Sequence, residues 1–448
     1  MVCDQEEQGG FYIHRARGLV EHIFSERIVK ELTGKAALGH SRYSTIGQND
    51  TCLLQPFIDD NTGIGLGHNG TIVNFYALMQ EQASNGTQHS AVESDSALIL
   101  DLLTTRLRGQ EVTAKTVFAA IEFCTAQLVG SYSVVCLTKN GDIFGFRDPN
   151  GIRPLVFGKR QSEDEGSIYG LASETIALNY LGFDQTEDVL PGEAIYISSQ
   201  GQVDRKIIKK DTFAPCMFEW VYFARVESEF QGKSVYEARF KLGQILAKQI
   251  KVRGISADVV IPVPETSRAS AIALAESLDV PFRELLIKNR YINRTFILDH
   301  QTSRQEAIRR KLFPIAQEIR GKHCLIVDDS IVRGNTASQI IKLLRQSGAR
   351  EITLVSTCPP IINPCYYGID FPSVSELIAH GKTEEEIATT LGADRLIFQT
   401  LEGLKEALDQ ESLCLGCLTG QYPTSTSSSL DFETMRLKDR SDYVSERK

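Results

Sequence analysis

The sequence predicts a two-part chain, an α+β sandwich followed by an α/β domain built on a parallel sheet. Three observations carry that expectation. Residues up to about 200 are dense in short strand-like runs closed by turn signals. Beyond about residue 230, strands alternate with amphipathic helical patterns. A length of 448 residues is more than one ordinary core supports.

In the first part, 130–138 reads as a strand, 139–142 as a turn and 143–146 as the partner strand. Residues 193–198 form another strand pattern, closed by a turn at 199–202. Helical periodicity runs over 94–106 and 114–127. In the second part, the order is helix 235–251, strand 258–262, helix 269–278, strand 324–327, helix 337–346 and strand 352–357. Residues 373–380 and 383–391 read as two further helices. The tail from about Tyr422, rich in Ser, Thr and charge, reads as loosely ordered, and no internal repeat is evident. The expected divisions are 1–215, 216–410 and a C-terminal segment 411–448.

Composition narrows the function class. A hydrophobic fraction of 42% with 23% charged residues is that of a globular protein. The net charge of −9 argues against general nucleic-acid binding. No apolar run reaches the length of a membrane span, and the first residues have neither a basic nor an apolar leader region. A cytoplasmic protein without nucleic-acid or membrane partners is expected. Ten cysteines in such a chain read as thiols or metal ligands rather than a disulfide framework.

The most informative stretch is 324–336. A short apolar strand ends in two adjacent carboxylates, Asp328 and Asp329, and a small polar loop, 330–335, leads into a helix from Thr336. At the carboxyl end of a parallel strand, such a loop turns backbone N–H groups toward a phosphate at a helix N-terminus. Two acids would repel a bare phosphate. They suit a ligand that also carries hydroxyls or a divalent cation between its phosphates, as a sugar phosphate with a magnesium-bound diphosphate does. The competing reading is a buried strand followed by an acidic turn. The run Val-Asp-Asp-Ser-Ile-Val-Arg-Gly at 327–334 resembles the phosphoribosyl diphosphate (PRPP) signature of the type I phosphoribosyltransferases, in the extended form of the glutamine PRPP amidotransferases.

That resemblance implies roles residue by residue. Asp328, Asp329, Ser330, Arg333, Gly334, Asn335 and Thr336 would hold PRPP, with the carboxylates facing the ribose hydroxyls. Thr266, in Val-Pro-Glu-Thr-Ser-Arg at 263–268, would join Asp328 and Asp329 in coordinating Mg²⁺. Lys288, Arg290 and Arg294 lie in a run, 288–297, that matches the family's flexible loop except for Asn293 where Gly is usual; they would contact diphosphate. For Arg309, Arg310 and Lys311 a solvated helix face is at least as good a reading. The nucleophile would be ammonia, giving phosphoribosylamine in the first step of purine synthesis. Closure over the site would keep water out.

In the first part, Gly-His-Ser-Arg-Tyr-Ser-Thr-Ile-Gly at 39–47, Gly-His-Asn-Gly-Thr-Ile-Val-Asn at 67–74 and Glu-Ser-Asp-Ser at 93–96 resemble the glutamine-binding segments of N-terminal-nucleophile amidotransferases. Singly, each reads as a turn or a helix cap. Together they imply Arg42 on the substrate α-carboxylate, Asp95 on its α-ammonium, and an oxyanion hole from Asn69 and the Gly70 N–H. The family's N-terminal cysteine nucleophile, with its Gly-Ile strand, has no counterpart in this sequence, so the fold is expected to be truncated and the glutaminase half-reaction inactive. Cys3 is a poor substitute, since removing Met1 leaves Val2 at the terminus, and reads as a buried thiol.

Cys414 and Cys417 form a CxxC, with Cys216 and Cys365 in separate Pro-Cys contexts. On residues alone, zinc, redox chemistry or no role fits the CxxC, and Cys358 rivals Cys365. The four together resemble the ligands of the [4Fe–4S] branch of these amidotransferases, where the cluster would be structural or oxygen-sensing. Family likeness further implies a homotetramer inhibited by purine nucleotides. The runner-up is a PRPP-binding sensor derived from the family, although no DNA-binding module is evident.

Overall fold

A computed structural model describes residues 1–4, 10–41, 51–84, 94–164, 166–289, 312–369, 371 and 373–425. The chain divides into two compact units. One comprises the described residues of Met1–Cys216, Cys365–Asp370 and Tyr422–Lys448; the other comprises those of Met217–Pro364 and Phe371–Gln421.

The first unit is organised by six strands, β1 (Phe57–Asp59), β2 (Ile64–Ile72), β3 (Gly130–Thr138), β4 (Ile143–Arg147), β5 (Glu193–Ile197) and β6 (Val203–Ile207). They pair antiparallel in sequence order as a meander. Strand β3 is buried on both faces, and its alternation decides which core each side chain joins. Tyr132, Val134 and Cys136 point into a core with helices α1 (Asp95–Leu107) and α2 (Ala114–Gln127). Leu137 points the other way, into a cluster with Met1, Cys3 and Leu38. On α2, Val117, Ile121 and Cys124 recur at helical spacing on the buried face. Thr113 starts that helix with a reciprocal capping box to Thr116. The second face of the sheet is also covered by two three-stranded sheets: Leu155, Phe157 and Val189 pack on Ile195 and Ile197.

The second unit is a four-stranded parallel sheet, β7 (Val259–Pro262), β8 (His323–Asp328), β9 (Glu351–Ser356) and β10 (Arg395–Phe398), paired in that order. All six residues of β8 are buried, as a central parallel strand requires. Leu325 and Val327 pack toward α3 (Val235–Val252) and α4 (Arg268–Leu278). Cys324 and Ile326 pack toward α5 (Asn335–Gln346) and α6 (Glu384–Leu391). Helices α3 and α4 approach closely at Gly243, where any Cβ would strike the Ser270 carbonyl. A further helix, α7 (Leu401–Leu408), packs on α3.

Two expectations are corrected. Residues 373–380 are not a helix: they hold a single 3₁₀ turn, Val374–Glu376, after which Leu377 is extended. The Ile378 N–H leaves the helical pattern to donate to Val332 O at 2.9 Å. The expected C-terminal segment 411–448 is divided, since residues through Gln421 belong to the second unit. The cause is local: Cys417 O accepts from the backbone N–H groups of Ile362 and Asn363. Strand β10 and helix α7 had no counterpart in the sequence reading. No helix among the described residues is long and apolar enough to cross a membrane.

Candidate active site

Strands β7 and β8 run parallel with Pro262 opposite Val327, so both deliver their carboxyl ends to one edge. Val263 N–H continues the ladder to Val327 O at 2.8 Å. Thr266, half-buried in the turn after β7, and the acid pair after β8 therefore emerge on the same edge of the sheet. The Ser267 hydroxyl fixes that turn by donating to Val263 O at 2.7 Å. Asp328 and Asp329 are 7% and 9% exposed. Burial first, and the Asp329 charge second, push the Asp328 carboxyl well above its usual range. Burial pushes Asp329 up to about 6, against a 2.9 Å hydrogen bond from Ser330 Oγ and the nearby Arg239 charge. Beneath them, Thr357 N donates to Asp328 O at 3.0 Å and Cys358 N to Asp329 O at 2.9 Å, clamping the backbone.

The loop after the acids closes at Gly334, the N-cap of α5, with φ 76° in the left-handed region. Asn335 and Thr336 are exposed in the first turn of the helix. Ile331 is buried and anchors the loop. Arg333 pairs through Nε with Glu376 Oε2 at 2.7 Å. Lys288, exposed, ends a short strand, Leu286–Lys288, whose Leu286 is buried and which pairs with Leu312–Pro314. Arg290, Arg294 and the basic run 304–311 lie outside the described residues. Among the described residues, no group of three or more His, Cys, Asp or Glu side chains is placed to hold a metal ion. Two carboxylates nevertheless suit Mg²⁺, which is commonly held by one or two acids together with substrate phosphates.

In the first unit, Asn69 and Gly70 sit on β2. Asn69 Oδ1 accepts from Arg153 Nη2 at 3.0 Å, so its NH₂ is the end left to donate. Gly70 has φ 145°, and a Cβ there would meet the Ser131 carbonyl. The glycine is therefore required by backbone approach. Arg153 is itself held by a loop that closes on Asp148, which is fully buried. The Asp148 carboxylate accepts from the N–H groups of Asn150, Ile152, Arg153 and Tyr132. Asp95 opens α1, and its Oδ1 accepts from Ser96 N at 2.8 Å. Arg42 lies outside the described residues. Cys3 is fully buried and its Sγ donates to Lys139 O at 2.8 Å, the arrangement of a core thiol rather than a nucleophile.

His68, Asp148 and Arg153 escaped the sequence reading. The run Arg-Asp-Pro-Asn-Gly-Ile-Arg at 147–153 was the available signal, but spacing does not reveal that these charges are buried. His68 is 4% exposed, with Nδ1 at 3.1 Å from Ser96 Oγ and 3.8 Å from Asp95 Oδ1. Burial lowers its pKa, opposed by Asp95. The unfolded chain binds this proton near pH 6.5 while the native state resists it, so acid draws the equilibrium toward unfolding. His68→Gln is expected to lose less stability than the parent between about pH 7 and pH 5, read from denaturant midpoints. Parallel profiles would contradict this.

The four candidate cluster cysteines are each buried, at 7% for Cys216 and Cys414 and 8% for Cys365 and Cys417. Cys216 and Cys365 belong to the first unit, Cys414 and Cys417 to the second. Cys365 Sγ accepts from Tyr367 N at 3.3 Å, a backbone donor of the kind that favours a thiolate. Cysteine thiolates are by their chemistry soft donors. Cys358, the rival, is fully buried beside Asp329, and burial pushes its thiol far up.

A glutamine amidotransferase domain model matches residues 40–179, and a phosphoribosyl transferase domain model matches residues 232–365. A glutamine amidotransferase domain followed by a phosphoribosyl transferase domain therefore defines the class. The amidophosphoribosyltransferase of Pseudomonas aeruginosa is 42% identical over 404 residues, covering 89% of this chain and 80% of that protein. That of Schizosaccharomyces pombe is 38% identical over 456 residues, covering 96% and 85%. The solved glutamine PRPP amidotransferase of B. subtilis, complexed with ADP and GMP, superposes with a TM-score of 0.81 at 34% identity, covering 95% of this chain and 90% of that one. The chain belongs to the amidophosphoribosyltransferase family, transferases that use glutamine or ammonia nitrogen to convert PRPP to phosphoribosylamine in the first step of purine biosynthesis.

Proposed function

We propose that PRPP is consumed at the carboxyl edge of the parallel sheet, and the observation that carries this is the buried acid pair beside the loop closed by Gly334. Backbone N–H groups of the loop, with Ser330, Asn335 and Thr336, take the sugar's phosphate at the start of α5. Asp328 and Asp329 orient the ribose hydroxyls and, with Thr266, hold Mg²⁺. Bound magnesium would neutralise diphosphate as it leaves. Lys288, Arg290 and Arg294 supply further positive charge to the departing anion, and Arg333 holds PRPP on the loop. Ammonia attacks the anomeric carbon: the C–N bond forms, the C–O bond to diphosphate breaks, and the nitrogen sheds a proton to water.

Family likeness would place Arg42 and Asp95 on the two ends of glutamine, with the Asn69 NH₂ and the Gly70 N–H as an oxyanion hole, and no residue is assigned as the nucleophile that would attack the amide. Cys216, Cys365, Cys414 and Cys417 are proposed as [4Fe–4S] ligands, a structural role that no bond-making step uses. The B. subtilis relative's ADP and GMP support purine nucleotides as inhibitors. A cytoplasmic homotetramer is proposed on family likeness. The test supplies purified protein with PRPP, Mg²⁺ and high ammonium, with its iron and sulfide content measured on the same sample. Release of diphosphate that stops on chelation is expected; its absence with intact, folded protein would overturn the reading.

A further inference from the structure

We infer that Glu376 is a positioning residue for PRPP, acting through Arg333. The inference rests on reading 328–336 as the PRPP loop, and it identifies what holds the outer side of that loop. Three independent contacts staple the loop to the 3₁₀ turn Val374–Glu376 and the residues just after it. The Ile378 N–H donates to Val332 O at 2.9 Å. The Ile378 side chain fills the space over Gly334, where an added Cβ would lie 2.5 Å from Ile378 Cδ1. The Glu376 carboxylate takes Arg333 Nε at 2.7 Å.

The carboxylate is itself placed by the turn. Glu376 N donates to Ser373 O at 2.9 Å, and Ser373 Oγ reaches Glu376 Oε1 at 3.5 Å. A guanidinium is a rigid planar fork, so fixing its Nε edge also fixes where its two Nη groups point. With Nε committed to Glu376, the Nη groups remain the donors for an anion on the loop. An untethered Arg333 would have to lose rotamer freedom each time PRPP bound, and that cost falls on affinity rather than on chemistry. The pair is half-exposed, with side chains 37% and 44% accessible, so the expected effect is modest.

The experiment measures ammonia-dependent diphosphate release by the full chain against PRPP concentration. Glu376→Ala is expected to raise the KM for PRPP about three- to fivefold, with kcat within about twofold. Glu376→Gln, which keeps an acceptor oxygen, should recover part of the loss. Arg333→Ala should raise KM at least as far, and adding Glu376→Ala to it should change nothing more, because the carboxylate acts through the arginine. An unchanged KM in Glu376→Ala, or additive effects in the double variant, overturns the inference while leaving the PRPP site intact. A parent protein that neither binds nor turns over PRPP overturns both. Melting temperatures separate a folding defect from either result, since a purely structural ion pair would shift stability and leave KM in place.

Discussion

Replacing Asp328 or Asp329 by Asn is expected to reduce ammonia-dependent diphosphate release by about 100-fold or more, the scale on which single groups stabilising transition-state charge act. The substitution keeps shape and one acceptor oxygen, exchanges the other for an NH₂ donor and removes the charge. Both side chains are more than nine-tenths buried on the edge where β7 and β8 end. Arg239 and Ser330 favour the charged form of Asp329 alone, while burial and then the Asp329 charge push the Asp328 carboxyl up. Removing one charge should therefore leave the melting temperature of the ligand-free protein unchanged or raised at neutral pH, because a like-charged buried pair is relieved. Activity and stability move in opposite directions, which separates loss of chemistry from loss of fold. A variant retaining more than about a tenth of parental activity would show that the acids are not at the reacting centre.

Gly334→Ala is expected to destabilise the second unit by roughly 1–3 kcal/mol and to weaken PRPP binding with it. Gly334 holds φ 76° at the N-cap of α5, a conformation that costs any L side chain. Space is a second constraint, because the new methyl would meet Ile378 Cδ1 and Leu391 Cδ2 at 2.5 and 2.8 Å. Relief requires the loop, Ile378 or Leu391 to move. Denaturant midpoints and PRPP titrations on the same preparations measure both effects. Unchanged midpoint and affinity would mean that the loop is not built on this packing.

The sequence was most legible where one local pattern sufficed. The span 130–138 is a strand with those bounds, and 114–127 a helix with those bounds, because hydrophobic periodicity and terminal signals agree there. The acid pair and the glycine closing the loop after it were readable as a linear motif, since strand, loop and helix follow one another directly. The helix expected at 373–380 failed for a non-local reason: Ile378 N–H is taken by Val332 O, across the PRPP loop, instead of a carbonyl one turn back. Strand β10 was unreadable because its sheet partner among the described residues is β9, far away in sequence.

What the residues alone determined is the order along the chain: amidotransferase motifs, then a strand, acid pair, loop and helix that resemble a PRPP signature, and four cysteines in separate contexts. What only the folded structure decided is which side chains hold those groups in place. Arg153 reaches Asn69 across 84 positions, and Glu376 reaches Arg333 across 43. Such partners meet through sheet register and helix packing. A hydrogen bond or ion pair between distant residues leaves no periodic trace in either segment, so burial and approach had to be seen in three dimensions.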